Sequence, residues 1–192
     1  MRLPRLVLVC ALVAGAGCVT ARPIPAGTVP TLGPDEGILV VDVETAVPIE
    51  RLLLSGATAA EHLEPGHALR TIVVRSGEYR WSGLRIPGAY GIVRYRVDRD
   101  EEWTLRVVAG RINYPGTLVI HKRRNAIGSA LAGGVENRSA RTWLELKRSA
   151  PELLARYGVS YGGAQPDAFL AELEKVRAAH PTRPTAAAGA SR

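Results

Sequence analysis

Cysteine is almost missing from this chain: Cys10 and Cys18 are the only two. No disulfide can form beyond residue 18, so apolar packing has to hold the fold together. Long hydrophobic runs are missing too, and the run at residues 6–13 falls far short of the ~20 apolar residues that span a bilayer. Complete catalytic signatures are also lacking. There is no H-E-x-x-H, Ser129 and Ser139 lie in no G-x-S-x-G context, and the glycine-rich residues 128–134 lack the Lys and Ser/Thr of a phosphate loop. No catalytic residue and no cofactor is expected on this basis. No internal repeat is visible.

What is present begins at the N-terminus. Arg2 and Arg5 form a positive region, residues 6–13 an apolar one, and Ala14-Gly15-Ala16-Gly17 a run of small residues before Cys18. That is the order of parts in an export signal. Gly15-Ala16-Gly17-Cys18 resembles the lipobox of bacterial lipoprotein precursors, atypical at Gly15, where the family usually carries Leu, Val or Ile. The resemblance implies a signal peptide over residues 1–17 and a lipid-bearing Cys18 at the mature N-terminus. Ala14-Gly15-Ala16 also fits an ordinary signal-peptidase site, which would cut before Gly17 and release a soluble protein. The thiol favours the first reading, because Cys18 would otherwise be a lone reactive group in an oxidising compartment. Val19 is not the aspartate that retains enteric lipoproteins at the inner membrane. By that resemblance, an outer-membrane position facing the periplasm is preferred if the cell is Gram-negative.

The formal charge of +7 falls to +5 when Arg2 and Arg5 leave with the signal. So modest a surplus suits solubility, with at most a mild preference for lipid headgroups or cell-wall polymers. Nucleic acid is not an expected partner of an exported protein.

Residues 18–36 contain Pro23, Pro25, Pro30 and Pro34 and read as a lipidated cysteine followed by a semi-extended Pro/Gly-rich tether. At about 3 Å per residue such a tether would hold a domain some 40 to 55 Å from the membrane. Residues 37–138 carry strand periodicity. The run at 38–43 suits a strand covered on both faces. Val93, Tyr95 and Val97 alternate with Arg94 and Arg96, and Trp103, Leu105 and Val107 with Thr104 and Arg106. The phase slips at Gly83, where a bulge is expected. Ser76-Gly77, Pro87-Gly88 and Pro115-Gly116 read as turns.

These signals predict a mainly β fold, a small antiparallel β-sandwich of about seven to eight strands. Residues 139–180 then predict two or three short helices packed on it, with Trp143, Leu146, Leu153, Leu154 and Tyr157 on one stripe and Phe169, Leu170, Leu173 and Val176 on another. Ser149-Ala150-Pro151-Glu152 fits a capping box, Gly158 and Gly162-Gly163 break the helices, and residues 181–192 read as a disordered tail.

The strand that ends at Ala109-Gly110 and resumes through Asn113-Tyr114-Pro115-Gly116 resembles the transthyretin-like domains of exported bacterial proteins, over residues 37–122. The resemblance implies a small sandwich, carries no catalytic residues, and leaves the helical region uncovered.

Three groups remain as candidates. His62 and His67, with Glu61 and Glu64, offer metal-ligating atoms, although Pro65-Gly66 turns the chain between them and a solvated loop explains them as well. Lys122, Arg123 and Arg124 could grip an anion or partner, or could simply charge a strand end. Arg80, Arg85, Arg94 and Arg96 interleave with Tyr79, Trp81, Tyr90 and Tyr95, as a stacking surface or an ordinary two-faced strand would. The expected function is a non-catalytic interaction or structural module, tethered through Cys18 in the cell envelope and meeting an envelope protein or cell-wall material. The alternative is a secreted or tethered hydrolase or metal-binding protein built on the His62/His67 region.

Overall fold

The computed structural model describes residues 21–55, 57–88, 91–97, 101–125, 128–164 and 166–179. The signal peptide, Cys18, Tyr90 and the C-terminal tail read from the sequence lie outside them. In chain order the strands are β1 (Arg22–Pro23), β2 (Glu36–Thr45), β3 (Ile49–Leu54), β4 (Ala57–Leu63), β5 (Gly66–Arg75) and β6 (Gly77–Gly88). They continue as β7 (Gly91–Arg96), β8 (Thr104–Val107), β9 (Arg111–Tyr114), β10 (Thr117–Asn125), β11 (Gly128–Glu136) and β12 (Gly158–Tyr161). The helices are α1 (Ser139–Ser149), α2 (Pro151–Arg156) and α3 (Ala168–Ala179).

β2 is the central strand of a seven-stranded sheet. It pairs antiparallel with β5 on one side, and β1 extends that side. Its other side runs parallel to β9 at Ile38 and Leu39 and to β10 from Asp42 to Thr45. β11 and β12 lie beyond them, antiparallel to β10 and parallel to β9. The second sheet has the order β4-β3-β6-β7, with β8 on the other half of β6.

The apolar run of β2 is explained by what covers it. Leu39, Val41 and Val43 point between the sheets, where they meet Trp81, Trp103, Leu52, Leu105 and Leu118. Ile38 and Val40 point the other way, into a second core with Ile112, Tyr114, Leu146, Leu153, Leu154 and Leu170. The protein therefore has three layers, two sheets and a helical cover. Each fully buried aliphatic side chain contributes roughly 1.5 to 3 kcal/mol. The sandwich with C-terminal helices is as the periodicity predicts, and Gly83 is the expected bulge. There the β3–β6 register passes from Leu53↔Gly83 to Leu54↔Trp81, Gly83 holds φ +154°, and a Cβ would run into the Tyr95 carbonyl.

Several local expectations give way to tertiary context. Among the described residues there are twelve strands where about seven to eight were expected, and the larger sheet is mixed where an antiparallel one was expected, partly because Pro115-Gly116 bends one long path into β9 and β10 without reversing it. Gly116 has φ +109°, and a Cβ there would sit 2.5 Å from Val135 Cγ1. The stretch between the glycines at 158 and 162 is strand β12. No capping box forms, since Ser149 still belongs to α1 and donates to the Glu145 carbonyl at 2.8 Å. On α3 the Leu170 N–H donates to Asp167 Oδ1 at 2.6 Å, and Leu170 is buried. Phe169 and Val176 are exposed, because the helix meets the domain along a narrow line only.

The tether is shorter than its proline content suggests. β1 pairs with β5 at Arg22↔Val73 and Pro23↔Ile72, and Ile24 N–H donates to the Thr71 carbonyl at 3.0 Å. Ile24, Val29 and Leu32 pack against the helical core, and Tyr157 donates its hydroxyl to the Pro30 carbonyl at 2.5 Å. Apolar residues spaced among the prolines anchor this segment to the domain.

Candidate functional site

Asp42 is the one charged residue within the run at 38–43, and it lies on the helix-facing side of β2 with Ile38 and Val40. It is 1% exposed. A carboxylate so placed is costly unless donors surround it. Three do: His67 Nε2 lies 2.7 Å from Oδ1, while the hydroxyls of Thr117 and Thr142 donate to Oδ2 at 2.8 and 2.5 Å. Thr117 is the register partner of Asp42 on β10, and Thr142 comes down from α1. The Tyr114 hydroxyl lies 3.0 Å from Thr117 Oγ1 and accepts the Arg138 N–H at 3.0 Å. Burial pushes the Tyr114 phenol above its ordinary pKa.

His67 stands on β5 opposite Glu44. Its Nδ1 lies 3.4 Å from Glu145 Oε2 of α1, so the ring sits between two carboxylates. Beside it, Glu44 accepts hydrogen bonds from Arg138 and, at 3.1 Å, from Arg141. The bonds from Arg141 and Arg138 hold the Glu44 carboxyl below its usual range. The whole group joins the first two turns of α1 to the central strands.

A carboxylate paired with an imidazole is half of a hydrolytic set. The other half needs a ring nitrogen turned toward substrate and a nucleophile beside it. Here Nε2 meets Asp42, Nδ1 faces Glu145, and both threonine hydroxyls donate to the carboxylate. The arrangement suits fastening a helix.

The other candidates fall elsewhere. His62 is exposed near the end of β4, with φ +51°, in the sheet opposite His67. Its neighbour Glu61 pairs with Arg51 Nε at 3.0 Å. Among the described residues no group of three His, Cys, Asp or Glu side chains could hold a metal ion. Lys122 and Arg123 are exposed where the β10–β11 hairpin runs past the end of β2, opposite Leu131 and Ala130. The Arg124 side chain lies outside the described residues. Residues 128–134 belong to strand β11, where a Cβ on Gly133 would approach the Val119 carbonyl to 2.9 Å. Tyr79 and Trp81 are buried, while Arg94 and Arg96 are exposed. An open apolar cleft of about 290 Å³ lies between the sheets, lined by Trp81, Trp103, Tyr95, Leu118 and Ile120.

Sequence reasoning found His67 but missed Asp42, Thr117, Thr142 and Glu145. The available signal was a single acid inside an otherwise apolar strand run, which a buried acceptor requires. Compared with protein families, curated proteins and solved structures, the chain matches none of them.

Proposed function

We propose that the protein is a membrane-tethered module of the cell envelope that binds another envelope component and does not transform a substrate. The observation that carries this reading is the closure of its polar centre. His67, which an enzyme built on the His62/His67 region would need, has both ring nitrogens directed at Asp42 and Glu145. The reactive-looking groups are thereby used in holding α1 on the sheet. What remains for the outside is shape and charge.

The N-terminal signal supplies the tether, with Cys18 as the lipid-bearing residue. Since Ala21 already packs against the inter-sheet core, the leash from Cys18 to Ala21 reaches about 10 Å when fully extended. Such a leash keeps the domain against the headgroups, in place of the long stand-off expected from the prolines. Mass spectrometry of the mature N-terminal peptide tests the anchor: an acylated Cys18 is expected, and an unmodified peptide beginning at Gly17 overturns it. Crosslinking in the native envelope should capture a defined component equally well from wild type and His67→Gln. Loss of capture in His67→Gln without loss of folding would return the site to a direct role.

A further inference from the structure

We infer that the outer face of the five-stranded sheet is a docking surface for an anionic lipid bilayer. The strand register aligns Arg51 with Arg85 and Arg85 with Arg94 across β3, β6 and β7. Like charges directly opposite one another on a sheet destabilise it unless something answers them. Glu61 answers Arg51 at 3.0 Å from the adjoining β4. Among the described residues Arg85 and Arg94 form no ion pair, and Arg85 Nε is buried without an acceptor. The face thus carries a surplus of two positive charges, Arg94 exposed and Arg85 half-buried beside it.

Two observations select a bilayer over a soluble polyanion. Ile92 stands two residues before Arg94, on the same face by strand alternation, and is 55% exposed. Its register partner Pro87 and the adjacent Gly88 are exposed as well. An aliphatic side chain beside arginines gains from entering the headgroup layer, whereas a soluble polyanion offers it nothing. The second observation is where the chain enters the domain. Ala21 and Glu61 line one groove, so the N-terminal segment begins next to the end of the Glu61–Arg51–Arg85–Arg94 row. That row spans three strand spacings, about 14 Å. On the tethered reading, which this inference uses only for proximity, the short leash brings the row to the membrane.

The test uses the full chain carrying Cys18→Ser, so that acylation plays no part. It is mixed with phosphatidylcholine vesicles, with and without phosphatidylglycerol, and partitioning is measured by sedimentation. Arg2 and Arg5 are common to all variants, so the change between variants carries the answer. Each of Arg85→Gln and Arg94→Gln should weaken partitioning to the anionic vesicles about fivefold. Lysine at both positions should restore it, which also controls for folding, and Ile92→Ser should weaken binding to both vesicle types. Unchanged partitioning in the double glutamine variant overturns the proposal. So does equally tight, arginine-dependent binding to soluble polyphosphate that is indifferent to Ile92→Ser. The N-terminal peptide mass reports separately on the tether, so failure of one reading is distinguishable from failure of the other.

Discussion

His67 Nε2 lies 2.7 Å from Asp42 Oδ1, linking β5 to β2 under the edge of α1. A neutral imidazole can donate through one nitrogen only, so the bond to Asp42 leaves the Nδ1 lone pair facing Glu145. An imidazolium would face both carboxylates with an N–H, hydrogen-bonded to Asp42 and at ion-pair distance from Glu145. The pair is one strut of a network in which each donor also fixes an element: Thr117 holds β10 and Thr142 holds α1.

Removing the acceptor should therefore cost more than removing any one donor. Asp42→Ala takes the shared acceptor from two hydroxyls and an imidazole, and is expected to destabilise by about 3 to 5 kcal/mol, the range for breaking a buried charged pair. Thr142→Val removes a single donor and should cost about 1 to 3 kcal/mol. Denaturant titration of the two single variants and the double variant measures both. Their effects should be non-additive, since the bond between Thr142 and the carboxylate is already lost in either single variant and the hydroxyl then keeps only the Arg138 carbonyl, at 3.2 Å, as acceptor. Additive losses would mean that the Thr142 hydroxyl contributes through something other than the carboxylate.

A pH prediction follows from Glu44, whose carboxyl is held low by hydrogen bonds from Arg141 and Arg138. A depressed folded-state pKa adds stability that is present above the unfolded value, ~4.3 for glutamate, and is lost as pH falls through the lower folded value. Because the Glu44 side chain is 42% exposed, the contribution is limited to about 0.2 to 1 kcal/mol. Stability curves of wild type and Glu44→Gln should accordingly differ near neutral pH and converge in acid. Added salt should shrink the difference. A gap that persists undiminished in acid would assign the effect to packing.

The sequence disclosed the parts of the fold that rest on local periodicity. The alternation at 103–107, the doubly covered run at 38–43 and the phase slip at Gly83 each follow from how side chains point along a strand, and each is found. Features set by distant partners were not legible. Pro115-Gly116 has the chemistry of a turn, but pairing with β2 on one side and with β11 and β12 on the other keeps the path straight on. Residues 158–161 gained strand form from β9, and the prolines of residues 21–36 were overruled by three well-spaced aliphatic residues. The Asp42 network was hidden for the same reason. Its members are drawn from β2, β5, β10 and α1, so no short window of sequence contains two of its bonds.

Glycine substitutions separate conformational need from mere composition. Gly83→Ala forces a Cβ against the Tyr95 carbonyl at a backbone angle that side chains rarely adopt. It should cost about 1 to 3 kcal/mol, the scale of stored backbone strain, and loosen the β6–β7 pairing. Gly134→Ala, in β11, meets nothing within 4 Å and should stay within about 0.5 kcal/mol. Thermal unfolding of both variants checks the contrast. Equal effects would remove the bulge from the account of how β6 changes phase.

Truncation after residue 138 tests whether the helices are structural. It removes Leu146, Leu153, Leu154 and Leu170 from the face of Ile38, Val40 and Ile112, and takes β12 from beside β9. It also withdraws Thr142 from Asp42 and Arg141 from Glu44. Isolated helices as short as these gain little stability from propensity, so the loss falls on tertiary contacts. A central sheet bared on one side, with an under-bonded carboxylate in it, should fail to unfold cooperatively and should bind a hydrophobic dye or aggregate. A truncated chain that still showed a sharp transition of near wild-type stability would make the sandwich self-sufficient. The helical layer would then be a detachable surface, and Asp42 and His67 part of what it uncovers.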